Sequence, residues 1–241
     1  MRLGYACTNM TLGYSVRELR LATLRAHGLP AVQALLDQNM ATLTDILRWN
    51  RAHGITMYRI PANLVPFGNH AEVDLDRLDF AGAREIPDLA RGMRLSVHPG
   101  HFTLLSAAGE VWERSRQDLL YHATLFDILG IDGDITIHGG GVYGDRGGTA
   151  ALPWARIAAT WRARLPKLHY SEQDPVKKLG AHSAYVDVAA FRRFVAGVGL
   201  DDFDVMLECK AKEVALLRLR EELGSVDGDG RGDASGSVGV A

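Results

Sequence analysis

Four short runs decide the fold of this chain: Arg94-Leu-Ser-Val-His98, Asp134-Ile-Thr-Ile-His138, Lys167-Leu-His169 and Asp204-Val-Met-Leu-Glu208. Each is typical of a buried strand, and each ends in a histidine or a glutamate. When parallel strands alternate with helices and close into a barrel, the carboxyl ends of the strands meet at one mouth, where catalytic residues collect. Three histidines and one glutamate at such a mouth indicate a metal centre.

The rest of the chain continues the alternation of strand and helix. Further strands are predicted at 3–9 and 56–60, and helices at 16–53 with a break at Gly28-Leu-Pro30, 73–92, 110–129, 153–165, 186–198 and 212–223. Strands that alternate with helices of this length favour βαβ units around a parallel sheet. We therefore expect an α/β fold of the TIM-barrel type. Only six strands are predicted where a closed barrel has eight, so the barrel should be incomplete, with the shortfall near 144–149.

Composition and charge narrow the class of protein. The 241 residues are 47% hydrophobic and 23% charged, as in one globular domain, and the net charge of −2 lacks the basic excess of many nucleic-acid binders. No run is apolar and long enough to span a membrane. Cys7 and Cys209 do not form a C-x-x-C pair, so we expect a reduced, cytoplasmic protein. Walker A and G-x-S-x-G motifs are absent, which argues against P-loop nucleotide binding and a serine nucleophile.

The two ends of the chain differ in character. The N-terminal residues show no charged segment followed by an apolar region and a cleavage site, so a leader peptide is not expected. From residue 224 the composition shifts to Gly, Asp and Ser, which is typical of disorder. We therefore expect residues 1–223 to form the barrel domain and residues 224–241 a disordered tail.

The residues at the strand ends form the strongest candidate site. A single histidine at a strand end is more often a hydrogen-bonded structural residue than a metal ligand. Here His98, His138 and His169 end successive predicted strands, and Glu208 ends the last one. Their repetition favours metal binding, and we predict that these four residues are ligands.

The remaining histidines are weighed by the element that carries them. His182 and His70 fall in loops that can reach the same mouth, although a polar loop residue is the alternative for each. His27, His53 and His122 fall on predicted helices. For these three we expect solvent-facing or capping roles.

Lys167 is an unusual residue for the inside of a barrel. Residues two apart on a strand share a face, so Lys167 points the same way as His169, and Met206 the same way as Glu208. A buried ammonium beside a metal is disfavoured by desolvation and by like charge. We therefore expect Lys167 to lose its charge, to pair with an anion or to be modified.

Seven motifs, which occur in order and span nearly the whole core, resemble those of the UV damage endonuclease family. They are Arg2-Leu-Gly-Tyr-Ala-Cys-Thr-Asn-Met-Thr-Leu12, Tyr58-Arg-Ile-Pro-Ala-Asn63, His98-Pro-Gly100, Ile137-His-Gly-Gly-Gly-Val-Tyr-Gly-Asp145, Pro166-Lys-Leu-His-Tyr-Ser171, Gly180-Ala-His-Ser-Ala-Tyr185 and Met206-Leu-Glu-Cys-Lys210. Each motif alone is weak, but the ordered set is highly specific.

The resemblance implies a metal-dependent enzyme that nicks duplex DNA immediately 5′ of UV photoproducts in excision repair. It implies a divalent metal cluster, commonly manganese, at the mouth of a TIM barrel. The ligands would be His98, His138, His169, His182 and Glu208, with His70 as a further site residue. Lys167 matches a family lysine that can be carboxylated and would join Glu208 in catalysis, while Tyr5 and Asn9 would line the DNA-facing groove.

Two departures from the family pattern change what we expect. The family usually has Gln-Tyr as a lesion-probing wedge where this chain has His101-Phe102, so lesion preference should differ while DNA distortion survives. The family's fifth and sixth strands, with a bridging glutamate and an Asp-x-x-His ligand set, are missing. The acidic ligands left are Glu208, Asp145 and a modified Lys167. We therefore predict fewer ions and a softer preference, for zinc or iron.

Three functions are consistent with these patterns. The first is a UV damage endonuclease acting on damaged duplex DNA, with no protein partner and no membrane expected. The second is a catalytically inactive DNA-binding remnant, because ligand-bearing strands are missing. The third is another metal-dependent TIM-barrel enzyme such as a sugar isomerase, since these also place His and Glu at strand ends. The ordered motifs disfavour the third.

Overall fold

The computed structural model describes residues 1–104, 108–137 and 164–228. Six strands lie within them: β1 (Leu3–Ala6), β2 (Met57–Ile60), β3 (Arg94–Val97), β4 (Gly133–Ile135), β5 (Lys167–Tyr170) and β6 (Asp204–Leu207). The α-helices are α1 (Leu21–Ala52), α2 (Ile86–Ala90), α3 (Gly109–Leu129), α4 (Val188–Gly197) and α5 (Lys212–Gly228). Six strands form where six were predicted, although β4 lies earlier than the predicted strand 134–138 and shares only Asp134 and Ile135 with it. The candidate ligands His138 and Asp145, the loop at 144–149 and almost all of the predicted helix at 153–165 lie outside the described residues.

The six strands form one parallel sheet in the order β4-β3-β2-β1-β6-β5. The first strand pairs with the last, as in a barrel, because β1 lies between β2 and β6. Over the described ranges, β4 and β5 each pair with a single strand. The sheet therefore curls into a half-barrel, and the incomplete TIM-barrel-like fold that the sequence predicts is confirmed.

Alternation along the strands gives the sheet two unlike faces. The outer face, with residues such as Tyr58 and Leu95, is buried in a large core against the helices. The inner face carries Met57 and Met206, which are fully buried in a separate small cluster. A Cβ on Gly4 would lie 2.7 Å from the Met57 carbonyl oxygen, so a larger residue does not fit there. The narrow apolar middle leaves the two ends of the interior to polar side chains.

A group of charged residues, which we call the clasp, occupies the amino-terminal end of the interior. Arg94 donates at 2.8 Å to both Asp134 and Asp204, and Arg164 donates to Asp134 at 2.7 Å. Lys167 Nζ lies 3.8 Å from Asp134 Oδ2. Burial acts to raise the pKa of Asp134, but Arg94 and Lys167 outweigh it and the pKa is lowered. The charges of Asp134 in β4 and Lys167 in β5 thus link the two strands that stand at the ends of the sheet order.

Two helical segments are interrupted by local chemistry. The long first helix bends at Gly28, whose φ of 60° and ψ of −154° are not helical, which confirms the predicted break. The prediction of mostly helix at 73–92 is wrong, because only two short 3₁₀ turns and α2 form there. The side chains of Asp74 and Asp79 accept backbone N–H groups two residues further on. Such local bonds compete with helix propagation.

The last helix is longer than predicted. It runs to Gly228, so residues 224–228 of the predicted tail are helical, and residues 229–241 lie outside the described part. The helices that can be described include none with the length and apolar character of a membrane span.

Candidate metal centre

Three of the predicted ligands meet at the carboxyl-terminal mouth of the half-barrel. His98 directly follows β3, His169 lies in β5, and Glu208 directly follows β6. One ligand atom from each lies within 4.8 Å of the other two. The rings of His98 and His169 stand perpendicular, with centroids 5.5 Å apart. Because these residues come from three strands, the curl of the sheet is what brings them together.

Hydrogen bonds fix the orientation of both rings. His98 Nδ1 lies 2.6 Å from the carbonyl oxygen of Thr136, and His169 Nδ1 lies 3.0 Å from Glu208 Oε1. When Nδ1–H donates to an oxygen, the lone pair resides on Nε2, as in metal-binding histidines. His169 Nε2 is buried and finds no hydrogen-bond partner among the described residues. A buried acceptor without a partner is costly, and a divalent ion would satisfy it, so these residues fit a metal.

Arg59 is a site residue that the sequence analysis missed. It lies in β2, and its guanidinium donates to Glu208 Oε1. The hydrogen bond with His169 and the charge of Arg59 together hold the pKa of Glu208 well below its usual range, although burial opposes them. Glu208 is therefore a carboxylate throughout the physiological range. The available signal was a charged residue inside the short apolar strand Met57–Ile60.

His182 lies on the open side of the cluster. Its Nδ1 is 2.7 Å from the backbone oxygen of Glu208 and 3.9 Å from Oε2 of the same residue. Its side chain is 40% exposed, compared with 21% for His169. The structure therefore brings His182 to the site, at the boundary with solvent.

Lys167 faces the interior, as predicted, but belongs to the clasp. Its side chain is fully buried, and the 3.8 Å separation from Asp134 is an ion pair too long for a hydrogen bond. Burial, reinforced by Arg94 and opposed by Asp134, lowers the pKa of Lys167 to about 8. Of the three outcomes expected for an inward lysine, the geometry corresponds to loose pairing with an anion.

Tyr5 and Asn9 lie beneath the mouth. Both are 0% exposed, the Tyr5 hydroxyl donates to Asn50 at 2.8 Å, and Asn9 Nδ2 donates to the Tyr5 oxygen at 3.0 Å. Asn9 also accepts the backbone N–H of Leu12 at 2.8 Å. Neither side chain reaches the surface, so both brace the loop after β1 instead of lining a DNA-facing groove.

Two loops at the mouth are tied to one buried carboxylate. Asp118 of α3 accepts a hydrogen bond from Thr103 Oγ1 at 2.6 Å and another from Asn69 Nδ2 at 2.7 Å. Thr103 directly follows the predicted wedge His101-Phe102, and Asn69 directly precedes His70. The phenylalanine is 64% exposed. The predicted lesion-probing residues therefore project from a fixed anchor.

The helical histidines differ from one another. His53 Nδ1 lies 2.8 Å from the Trp49 carbonyl oxygen at the end of α1, in the expected capping role. His122 is only 1% exposed, with Nε2 3.7 Å from Asp118 Oδ1, and burial lowers its pKa. The expectation of a solvent-facing or capping role is wrong for His122, because it lies on the face of α3 that packs inward.

Comparisons with known proteins give a consistent result. The sequence model of one family, described as UV-endonuclease UvdE, matches residues 1–153 and 149–231. A putative UV-damage endonuclease of Acanthamoeba polyphaga mimivirus is 29% identical, with 91% of this chain and 90% of the relative covered. A UV DNA damage endonuclease of Clostridium perfringens is 24% identical, with 94% and 72% covered. The crystal structure of SacUVDE superposes with a TM-score of 0.78 at 26% identity, covering 94% of this chain and 99% of that one.

The alignments also bear on the length of the chain. The alignment with the mimivirus protein extends over 297 positions, more than the 241 residues present here, so that relative contains segments that this chain lacks. The two matches to the family meet at residues 149–153, close to the shortfall predicted at 144–149.

Proposed function

The chain belongs to the UV-endonuclease UvdE family, and on that premise we propose that it incises damaged duplex DNA at the mouth of its half-barrel. The relatives named UV damage endonucleases and the similarity to SacUVDE support this activity. The observation that carries the proposal is the convergence of His98, His169 and Glu208 at the strand ends. We place the incision immediately 5′ of the photoproduct, as the family resemblance implies.

We propose that His98, His169 and Glu208 hold a divalent ion, with His182 and His138 as further ligands. A bound ion would supply hydroxide near neutral pH and stabilise the charge that develops on the phosphate. Manganese is the ion that the resemblance favours. Two imidazoles and one carboxylate suit zinc or iron better, so we expect fewer ions and a softer preference. Metal analysis of the purified protein tests this, and a full complement of manganese would contradict it.

The residues around the ligands would prepare the site before any substrate binds. Arg59 donates to Glu208 and keeps it ionised, so the carboxylate is ready at every working pH. Thr136 accepts from His98 Nδ1, which holds that ring in one tautomer. The oxygen that accepts from His98 orients that ring and raises the basicity of its other nitrogen, whereas Arg59 orients Glu208 and lowers the basicity of its carboxylate. We propose that Arg59 is a positioning residue for Glu208.

We propose two further roles, one for the loop at the mouth and one for Lys167 of the clasp. Phe102 is exposed and would stack on bases or push between them, with His101 beside it. Lys167 has a pKa of about 8, so part of it is the neutral amine that reacts with carbon dioxide. Because a carboxylated Lys167 would place a second anion near Asp134, which is 3.8 Å away, the modification would need a bound cation to become favourable.

A catalytically inactive DNA-binding protein is the second candidate. The alignment with the mimivirus protein has more positions than this chain has residues, so parts of that relative have no counterpart here. The loss of such parts favours the inactive candidate. The two candidates differ in nicking, not in affinity for damaged DNA.

Incision of a duplex that carries a single photoproduct, with manganese or zinc added, distinguishes the candidates. We expect a nick 5′ of the lesion that Glu208→Gln abolishes, because the amide keeps the shape of the side chain and removes the anionic ligand. Leu120→Ser, at an exposed position on the outer helix α3, is the matched control and should nick normally. Damage-dependent binding without nicking, from folded protein, would select the inactive candidate.

A further inference from the structure

A hairpin-like loop, which we call the prong (residues 172–183), stands at the rim of the mouth. It follows β5, so it leaves the sheet at the end where the metal ligands converge. Its two legs are joined by Asp174 N donating to the Ala181 oxygen at 2.7 Å and Ser183 N donating to the Glu172 oxygen at 2.8 Å. The legs also form an antiparallel bridge between Gln173 and His182. The prong is therefore an ordered projection.

Two side chains brace the tip of the prong from inside. Gln173 Nε2 donates to the oxygens of Asp174 at 2.7 Å and Lys178 at 3.1 Å, and its Oε1 accepts from Gly180 N at 2.7 Å. Asp174 Oδ1 accepts from Val176 N at 3.2 Å. These bonds satisfy backbone groups of the turn without help from the rest of the protein. The tip is thus preorganised, which reduces the entropy lost when it binds a partner.

The tip exposes apolar side chains that the fold does not use. Val176 is 88% exposed and Leu179 is 81% exposed, the highest values among the large hydrophobic residues of the described regions. Single exposed apolar residues are ordinary, but two on one braced turn are a feature of contact surfaces. Lys177 and Lys178 lie between them in sequence, and Lys177 Nζ pairs with Asp174 Oδ2 at 2.8 Å. The tip therefore presents two apolar groups together with Lys178.

The base of the prong is part of the metal centre. His182, in the second leg, has Nδ1 2.7 Å from the Glu208 backbone oxygen. Lys210 N donates to the Ser183 oxygen at 3.0 Å, which fixes the same leg to the chain after β6. A molecule that binds at these ligands would therefore lie next to the prong.

We propose that the prong docks into a groove of the DNA duplex next to the incision site. Lys178 would bind a phosphate, while Val176 and Leu179 would contact sugars and base edges. The exposed lysine favours a polyanion over an apolar protein surface, and the position at the mouth favours the substrate itself. This inference rests on the proposed function and identifies a contact that is separate from the wedge at His101-Phe102.

Binding to an undamaged duplex over a series of salt concentrations tests the proposal. The double substitution Val176→Ser with Leu179→Ser should weaken binding by about tenfold at every salt concentration, because it removes apolar contact without changing charge. Lys178→Gln should lower the slope of log K against log salt by about 0.9, the value for one lost phosphate contact. Leu120→Ser on α3 is the control and should change neither quantity.

The outcomes separate the two proposals. Unchanged affinity and slope in the prong variants, with wild-type binding intact, would overturn the prong and leave the endonuclease proposal standing. Wild-type protein that binds DNA through the prong but does not nick photoproducts would support the prong and contradict the endonuclease activity. If the double variant loses only self-association in sedimentation and binds DNA normally, the prong serves a second copy of the chain and the proposal is wrong.

Discussion

Replacing Lys167 with methionine should stabilise the protein at neutral pH. The two side chains have similar length, so methionine fills the same space while removing a buried ammonium that has no hydrogen-bond partner among the described residues. Asp134 retains hydrogen bonds from Arg94 at 2.8 Å and Arg164 at 2.7 Å. The substitution therefore leaves no carboxylate of the clasp without a cation.

The size of the effect follows from the pKa of Lys167. Burial lowers it from 10.5 to about 8, so between these values the unfolded chain binds more protons than the folded protein. The contribution of Lys167 to wild-type stability therefore rises with pH across this window. At about 1.4 kcal/mol for each tenfold change in proton affinity, the lower pKa corresponds to roughly 3 kcal/mol. The titration of Lys167 should therefore give Lys167→Met an advantage of about 3 kcal/mol near pH 7, and this pH-dependent contribution should disappear above about pH 10.5.

Urea unfolding of both proteins at several pH values between about 7 and 10.5 measures this difference. Lys177→Met is the matched control, because Lys177 is exposed and its pKa is raised by Asp174. A lysine whose pKa is raised by folding stabilises the folded state at pH values below its ordinary pKa, and this contribution is lost at higher pH. The contribution of Lys177 therefore changes with pH in the opposite direction to that of Lys167. A stability difference for Lys167→Met that is constant with pH would refute the reasoning, as would a variant less stable than wild type near pH 7.

Three further predictions concern the metal centre, the clasp and the mouth loops. Glu208→Gln should weaken divalent metal binding by at least about tenfold in calorimetric titration, and equal affinity would exclude Glu208 as a ligand. Arg94→Met removes the guanidinium that bonds buried Asp204 at 2.8 Å and leaves the Arg2 guanidinium 4.0 Å away, so it should cost about 3 kcal/mol in urea unfolding; a cost under about 1 kcal/mol would show that the clasp contributes little. Thr103→Val removes one hydrogen bond to Asp118 and should speed amide hydrogen exchange in residues 98–104, whereas unchanged exchange would mean that Asp118 does not anchor this loop.

The strands and the convergent ligands were predictable from local patterns. Side chains alternate along a strand with a period of two, which places Met206 and Glu208 on one face. Pro99-Gly100 directly after His98 mark the end of another strand. Because the strands are parallel, their carboxyl ends lie at the same end of the sheet. These rules act over a few residues, so a single sequence contains them.

The partners of buried polar groups were not predictable in the same way. Arg59 pairs with Glu208 across 149 positions of sequence, and no local pattern specifies such a contact. His122 and Asp118 lie one helical turn apart, but only the packing of α3 decides that this side of the helix is buried. The pairing of Lys167 with Asp134 likewise depends on the curl of the sheet.

The clasp also has a consequence for engineering. Within the described residues no backbone ladder joins β4 to β5, and the charges of Asp134 and Lys167 meet across that interval instead. A side-chain contact imposes no register, so the connection between the two strands can change in length without shifting any paired strand. We therefore expect the interval between β4 and β5 to tolerate changes in chain length, such as the insertion of a reporter domain or the placement of new chain termini.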